Sequence, residues 1–151
     1  MPSPPRLPPA DGLVVRRATT GDREAVWPLV RHVPGGAPPR EAYDRAFGTL
    51  TNLLDTCLVV AETPDDGLAG YLLADHRHTL ATGGPVVWVS EVAVLPAVRG
   101  RGLGRALVHA AEEWGRTGGA ARVCLATSGA TGFYRALGYT EDTTHFGRAL
   151  P

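Results

Sequence analysis

The sequence has no lysine, only two cysteines and no long apolar run. All fifteen basic residues are arginine, and fifteen acidic residues balance them, so the formal net charge is zero. This balance gives no indication of a nucleic-acid or membrane partner. No apolar stretch reaches the roughly 18 residues that span a bilayer. The absence of lysine also excludes a P-loop, which needs Gly-Lys followed by Ser or Thr.

The 151 residues suffice for one domain with a sizeable core. Residues 1–11 are rich in proline and predict a disordered tail, which leaves residues 12–151 as a single domain. This start lacks the apolar core of a secretory signal, so we expect a cytoplasmic protein. Cys57 and Cys124 lie in separate apolar runs, which favours two reduced core thiols over a metal site. A cysteine that relays an acyl group is the lesser alternative.

Residues 86–116 carry the strongest pattern in the chain. An apolar, β-branched run predicts a buried strand over residues 86–94. Three glycines then alternate with other residues from Gly100 to Gly104, and helical periodicity follows. A strand that leads through a glycine-rich turn into a helix gathers backbone N–H groups and the positive end of the helix dipole. The pattern predicts a phosphate or pyrophosphate site. A dinucleotide fingerprint is excluded, because Arg105 stands where its third glycine is required.

The patterns along the chain predict the element order β-α-α-β-β-β-α-β-α-β. The order starts with a strand at residues 13–15 and a helix that residues 19–22 cap and Pro28 kinks or breaks. A second helix over about 40–54 and a strand pair at 58–62 and 68–74 follow. After the central strand and helix come a strand at 123–126, a short helix at 130–137 and a last extended segment within 139–150.

Two motifs resemble those of the GNAT superfamily of N-acetyltransferases. Arg99, Gly102 and Gly104 match R-x-x-G-x-G, and residues 130–139 match A-x-x-F-Y-x-x-x-G-[FY]. The resemblance extends from about Gly12 onward. It implies an α/β (α+β) fold in which a mixed, mostly antiparallel sheet is splayed into a V and flanked by about four helices. It also implies acetyl-CoA as the co-substrate and no metal.

The resemblance assigns site residues in turn. The backbone of the central strand would pair with the pantetheine arm, and the glycine-rich turn would hold the pyrophosphate. Thr127 stands where relatives often have an asparagine that contacts the cofactor. Tyr134 would donate a proton to the departing thiolate. The cofactor-binding set is therefore Val92, Ala93, Val94, Arg99, Gly100, Arg101, Gly102, Leu103, Gly104, Arg105, Thr127 and Tyr134.

An acetyl acceptor must lose a proton before it attacks, and Glu91 is the first candidate for the base. A buried, unpaired carboxylate inside an apolar strand costs several kcal/mol, so we expect Glu91 to face a wet cleft. Solvent exposure or an arginine partner is the alternative. His76, His78 and His145 are weaker candidates; the first two are expected in a loop. Trp88 lies in the pocket or in the core, whereas Trp27 and Trp114 are expected in the core.

The expected reaction is acetyl transfer to a primary amine by direct attack in a ternary complex. A bulge in the central strand would leave the N–H of Val92 or Val94 to stabilise the oxyanion. The acceptor is a small-molecule amine or a peptide N-terminus, in a pocket shaped by the first two helices, residues 34–39 and the last strand. A non-catalytic acyl-CoA sensor and a transferase for another acyl-CoA are the alternatives. The pattern leaves a homodimer open.

Overall fold

The structure is a computed structural model that describes residues 10–151. Residues 1–9, which form most of the predicted tail, lie outside the described residues. Ala10 is buried, and its N–H donates to the carbonyl of Arg101 at 3.1 Å. The end of the proline-rich segment therefore packs beside the glycine-rich turn, and the tail boundary at residue 11 stays a prediction.

Among the described residues, five strands and four α-helices follow one another in nearly the predicted order. Pro28 lies inside the first helix without ending it. In chain order the elements are β1 (Val14–Arg17), α1 (Arg23–Val30), α2 (Arg40–Leu50), β2 (Thr56–Thr63), β3 (Gly67–Arg77), β4 (Val86–Val94), α3 (Leu103–Thr117), β5 (Val123–Leu125) and α4 (Thr131–Ala136).

The five strands form one sheet in the order β1-β2-β3-β4-β5. The first four strands are antiparallel to their neighbours, and β5 runs parallel to β4. Val87, Trp88 and Val89 of β4 pair with β5, whereas β4 continues beside β3 as far as Val94. The sheet therefore opens into a V after Val89, and the predicted mixed, mostly antiparallel fold is confirmed.

The sheet separates two apolar clusters. One lies under α3 and includes Leu72, Val87 and Leu107, each with no exposed surface. The other lies under α1 and α2 and includes Val26, Phe47 and Tyr71. Alternate residues of β3 and β4 supply the two clusters, because successive side chains of a strand point to opposite faces.

Asp22 anchors the start of α1 to the first strand. Its carboxylate accepts hydrogen bonds from the N–H of Thr19 at 2.8 Å and from the Arg16 guanidinium at 2.8 and 2.9 Å. These bonds, the Arg16 pair above all, lower the pKa of the nearly buried Asp22 to about 2. The arrangement is the predicted cap, strengthened by an ion pair.

Gly115 allows α3 to lie close to the central strand. A Cβ on Gly115 would come within 2.4 Å of Val87 Cγ2, which is a severe clash. The helix therefore packs with its backbone nearly against β4, and that contact sets the height of α3 over the sheet.

Two predictions were wrong, one about the end of the chain and one about His76, whereas His78 follows β3 as predicted. Residues 139–151 form no strand, so the last predicted strand is absent and the free edge of β5 has no strand partner among residues 10–151. His76 belongs to β3 rather than to a loop, and its ring stacks on Trp114 at 3.9 Å. Trp114 and Trp27 are half-buried. Within residues 10–151, none of the helices combines the length and hydropathy needed to cross a bilayer.

Candidate functional site

The corner between β4 and α3 presents a run of unpaired backbone donors. Among the described residues, none of the N–H groups of residues 100–105 donates to an intramolecular acceptor; donation resumes at Ala106, which bonds the carbonyl of Gly102 at 3.0 Å. The first N–H groups of a helix lack partners in their own helix and coincide with the positive end of its dipole. The corner can therefore accept an anion such as a diphosphate.

Glycine is required twice in this corner. Gly100 and Gly102 have φ values of 80° and 90°, in the left-handed region, and Gly102 is the N-cap of α3. A Cβ on either residue would meet nothing within 4 Å. The constraint is therefore conformational rather than steric, since L residues other than glycine rarely adopt this backbone.

The three arginines of the corner have different surroundings. Arg99 is exposed, and its Nε donates to the carbonyl of Val94 at 3.1 Å. Arg101 pairs with Asp66 of the turn between β2 and β3 at 3.4 Å. Arg105 is exposed and makes no ion pair among the described residues. Arg99 and Arg105 therefore keep donors that an anion at this corner could use.

The edge of β4 beside the V is open to a ligand. The N–H of Leu95, just after β4, points toward β3 and donates to the carbonyl of Ala69. Backbone N–H groups alternate between the two sides of a strand, so those of Val92 and Val94 point away from β3. Ser90 has no partner across β3, because Leu73 pairs with Glu91 and Ala74 with Val89. The bulge in β4 therefore lies at Ser90, whereas the prediction had placed it at Val92 or Val94.

Helix α4 lies against the start of α3 through an aromatic contact. A Cβ on Gly104 would lie 3.3 Å from Phe133 Cζ and 3.9 Å from Val94 Cγ2. The next ring, that of Tyr134, packs edge-on to Phe133 at 4.9 Å and to Tyr139 at 5.7 Å. Burial raises the pKa of the Tyr134 hydroxyl, so this group keeps its proton in neutral solution.

Thr127 stabilises the turn just before α4 through a side-chain hydrogen bond. Its hydroxyl accepts the N–H of Ala130 at 3.1 Å. Thr127 is exposed, so a ligand can also reach its hydroxyl. The residue organises the turn that carries Phe133 and Tyr134, and its contact with a cofactor stays a prediction.

Glu91 lies on the face of β4 that is turned toward α1 and α2, away from α3, and it accepts a hydrogen bond from a tyrosine. The Tyr71 hydroxyl donates to Glu91 Oε2 at 3.2 Å. Burial raises the pKa of Glu91, and the bond from Tyr71 opposes this shift only in part. Glu91 is half-buried and forms no ion pair among the described residues, so its affinity for protons is higher than that of a surface glutamate.

Glu91 and Tyr71 line a pocket of about 400 Å³. Its walls come from α1, α2, the connection between them and the faces of β2, β3 and β4. A second, larger groove of about 600 Å³ runs between α3 and the residues that follow α4, and it contains none of the predicted site residues. The pocket at Glu91 is thus where a small acceptor could reach the predicted base.

Tyr71 was missed by the sequence analysis. It lies diagonally across from Glu91, because Tyr71 pairs with Ala93 and Leu73 with Glu91. Residues 68–74 are apolar on both faces, so the sequence held no signal for which of them would share a face with Glu91.

The histidines and Trp88 do not gather around Glu91. His76 stacks on Trp114, on the α3 side of the sheet, which is the wrong face for a base that works with Glu91. His78 is exposed after the end of β3. His145 is exposed, and its ring centroid lies 6.4 Å from that of Trp88. Trp88 is half-buried beneath the Arg77 guanidinium, 4.2 Å from the ring centroid. Glu91 is the remaining candidate within the pocket.

A family model described as "Acetyltransferase (GNAT) family" matches residues 24–139, which include β4, the N–H corner, Glu91 and Tyr134. The chain belongs to the acetyltransferase (GNAT) family, whose members use acetyl-CoA. The resemblance inferred from the two motifs is thereby confirmed.

Two of the similar proteins are named as N-acetyltransferases, and a third is described as a transcriptional regulator. The chain is 35% identical over 118 residues to glucosamine 6-phosphate N-acetyltransferase 1 of Oryza sativa subsp. japonica, covering 74% of this chain and 71% of the relative. An aminoglycoside N-acetyltransferase, AAC(6')-Iy, solved in complex with CoA, has a TM-score of 0.80 at 24% identity and covers 95% of this chain and 98% of its own. A transcriptional regulator from Bacillus halodurans C-125 has a TM-score of 0.81 at 24% identity, with 91% and 99% covered. The two structures show the shared fold.

Proposed function

We propose that this protein is an N-acetyltransferase that transfers the acetyl group of acetyl-CoA to a small-molecule primary amine by direct attack in a ternary complex. The observation that carries the proposal is the run of unpaired N–H groups over residues 100–105, beside the open edge of β4. The family match and the relatives' acetylation of small amines support it.

The residues at this corner fit coenzyme A. The N–H groups of residues 100–105, with Arg99 and Arg105 beside them, would hold the diphosphate. The outward backbone groups of residues 92–94 would pair with the extended pantetheine arm, as another strand would. When bound, acetyl-CoA supplies an acyl group already activated as a thioester.

Glu91 is suited to the proton removal that the amine needs. An alkyl ammonium has a pKa near that of lysine, about 10.4, and attacks only after it loses a proton. Burial raises the pKa of Glu91 and so makes this carboxylate a stronger base than an exposed one. Glu91 would take the proton directly or through water, and Tyr71 would hold its carboxylate in place.

The bonding changes balance without an enzyme-bound acyl group. The ammonium gives its first proton to Glu91, which passes it to solvent. The neutral amine then forms the new C–N bond and gives its second proton to Glu91, while the thioester C–S bond breaks and Tyr134 donates a proton to the departing sulfur. Glu91 releases that second proton to solvent, from which Tyr134 regains its own. The N–H of Val92 or Val94 can donate to the carbonyl oxygen as it gains negative charge. Cys57 is buried and its pKa is raised to about 11, so it provides little thiolate for an acyl relay.

A thiol-release assay with acetyl-CoA and a panel of primary amines tests the proposal, using Glu91→Gln as the first variant. Glutamine keeps the acceptor for Tyr71 but cannot take a proton, so we expect turnover to fall about 10²- to 10⁴-fold. The pKa of Glu91 is raised in the folded protein, so folding favours the protonated carboxyl. The ionised carboxylate therefore lowers the stability of the fold progressively as the pH rises from the ordinary pKa to the raised one. Glu91→Gln should therefore be at least as stable as the parent at neutral pH.

The outcomes separate function from folding. Turnover that is lost in Glu91→Gln without loss of stability supports Glu91 as the base. Unchanged turnover in that variant removes Glu91 from the mechanism. Tight binding of CoA without turnover of any amine in the panel would overturn the proposal in favour of an acyl-CoA sensor.

A further inference from the structure

The pocket at Glu91 has a single charged side chain among the described residues that line it. Of the fifteen described residues that line it, twelve have aliphatic, phenyl or no side chains, and the other three are Glu91, Tyr43 and Tyr71. Glu91 is the one charged side chain among them, and arginine and histidine are absent from this described lining.

The two tyrosine hydroxyls are already engaged. Tyr43 donates to the carbonyl of Arg23 at 2.6 Å, and Tyr71 donates to Glu91 at 3.2 Å. Their rings, with that of Phe47, therefore present apolar and aromatic surface to a ligand. A ligand in this pocket finds one anionic partner and otherwise apolar walls.

This lining matches poorly the substrates that the relatives' names describe. A sugar phosphate needs cationic or N–H donors for its phosphate, and the described lining contributes no cationic side chain. An aminoglycoside carries several ammonium groups, and Glu91 can neutralise only one of them. A charged group buried without a partner costs several kcal/mol, so both classes would be rejected here.

Resting on the N-acetyltransferase function proposed above, we infer that the acceptor is an apolar primary monoamine, whose nitrogen lies at Glu91 and whose aromatic or branched body packs between α1, α2 and the sheet. Val30, Phe47 and Leu73 would contact that body. The cavity of about 400 Å³ is within the size range of small-ligand sites, about 300–1,000 Å³.

Four primary amines of different size and polarity, compared in the thiol-release assay, test this inference. The probes are 2-phenylethylamine, ethylamine as its truncated partner, glucosamine 6-phosphate and kanamycin. We expect kcat/KM for 2-phenylethylamine to exceed that for ethylamine by about 100-fold or more, since a single methylene in an apolar pocket already contributes about 10- to 200-fold. We expect the two polar amines to be weaker than 2-phenylethylamine.

The failures are distinguishable. Preference for glucosamine 6-phosphate or kanamycin overturns the apolar acceptor and leaves the N-acetyltransferase function intact. No turnover of any amine overturns that function itself, and the substrate class with it.

A pair of variants tests whether the acceptor binds in this pocket. Ala46 on α2 and Ala25 on α1 are both exposed, but only Ala46 lines the pocket. Ala46→Trp should raise the KM for 2-phenylethylamine about tenfold or more and leave the KM for acetyl-CoA unchanged. Ala25→Trp, the matched control, should change neither. An Ala46→Trp variant that folds normally, as judged by circular dichroism, and keeps the parent's amine KM would overturn the inference.

Discussion

Replacing Gly102 by alanine tests whether the left-handed backbone at the start of α3 is what aims its N–H groups. The φ of Gly102 is 90°, and a Cβ there would meet nothing within 4 Å. The substitution therefore carries no steric cost, and its whole effect is conformational, about 1–2 kcal/mol for an L residue in this region.

The chain can respond to this strain in two ways, and both are measurable. If it keeps the left-handed turn, the free energy of unfolding should fall by about 1–2 kcal/mol while CoA still binds. If it rotates the turn into an ordinary conformation, one charge-assisted hydrogen bond to the diphosphate is lost, which is worth about 1.5–3 kcal/mol, or about 10- to 100-fold in Kd. Urea unfolding and calorimetric titration with CoA separate the two responses.

Two control variants test whether the effect of Gly102→Ala comes from the left-handed backbone. Gly147→Ala is equally free of neighbours within 4 Å and has no left-handed φ, so it should change neither quantity. Gly102→Asn should be milder than Gly102→Ala, because asparagine tolerates this backbone better. A Gly102→Ala protein with the parent's stability and the parent's affinity for CoA would refute the reasoning.

Three further predictions concern the acid, the cap and the helix contact. Tyr134→Phe should lower turnover by about 100-fold while the Kd for CoA is kept, as stopped-flow and titration would show; unchanged turnover excludes Tyr134 as the acid. Asp22→Asn should lower the free energy of unfolding by about 2 kcal/mol at pH 7, because the pKa of Asp22 is about 2 against an ordinary 3.8. The ionised carboxylate contributes this stability above about pH 4 and loses it as the pH falls through about 2. Urea unfolding should therefore show the difference in stability between parent and variant disappearing in acid. Gly115→Ala should lower Tm, since overpacking against Val87 costs about 1–3 kcal/mol and exceeds the gain of about 1 kcal/mol in helix propensity. Combining Gly115→Ala with Val87→Ala should cost less than the sum of the two, and simple additivity would contradict the contact.

The sequence predicted the part of the fold in which local pattern and tertiary structure agree. Residues 86–117 are strongly periodic, and the glycines between strand and helix have few alternative uses, so β4, the turn and α3 were anticipated. The family motifs extended this to the V-shaped sheet. The unpaired state of the N–H groups could not be read from sequence, because it depends on which acceptors the folded chain brings near.

The errors came from segments whose side chains do not prefer one face or one partner. Residues 139–150 suggested a strand, yet no neighbouring strand pairs with them among the described residues. His76 looks like a loop residue in a polar stretch, but β3 extends to Arg77 and brings the ring against Trp114. Pairing partners are non-local, so the alternation of a single strand does not determine them.

The division of apolar contacts across the sheet has a consequence for how this chain can diverge. The proposed cradle for coenzyme A draws on α3, α4 and the edge of β4, whereas the walls at Glu91 draw mainly on α1, α2 and the connection between them. If the proposed function holds, substitutions in α1, α2 and their connection would change the acceptor and leave the proposed coenzyme A site intact. Eleven of the fifteen described lining residues fall within residues 26–50, so about a sixth of the chain would set the choice of acceptor.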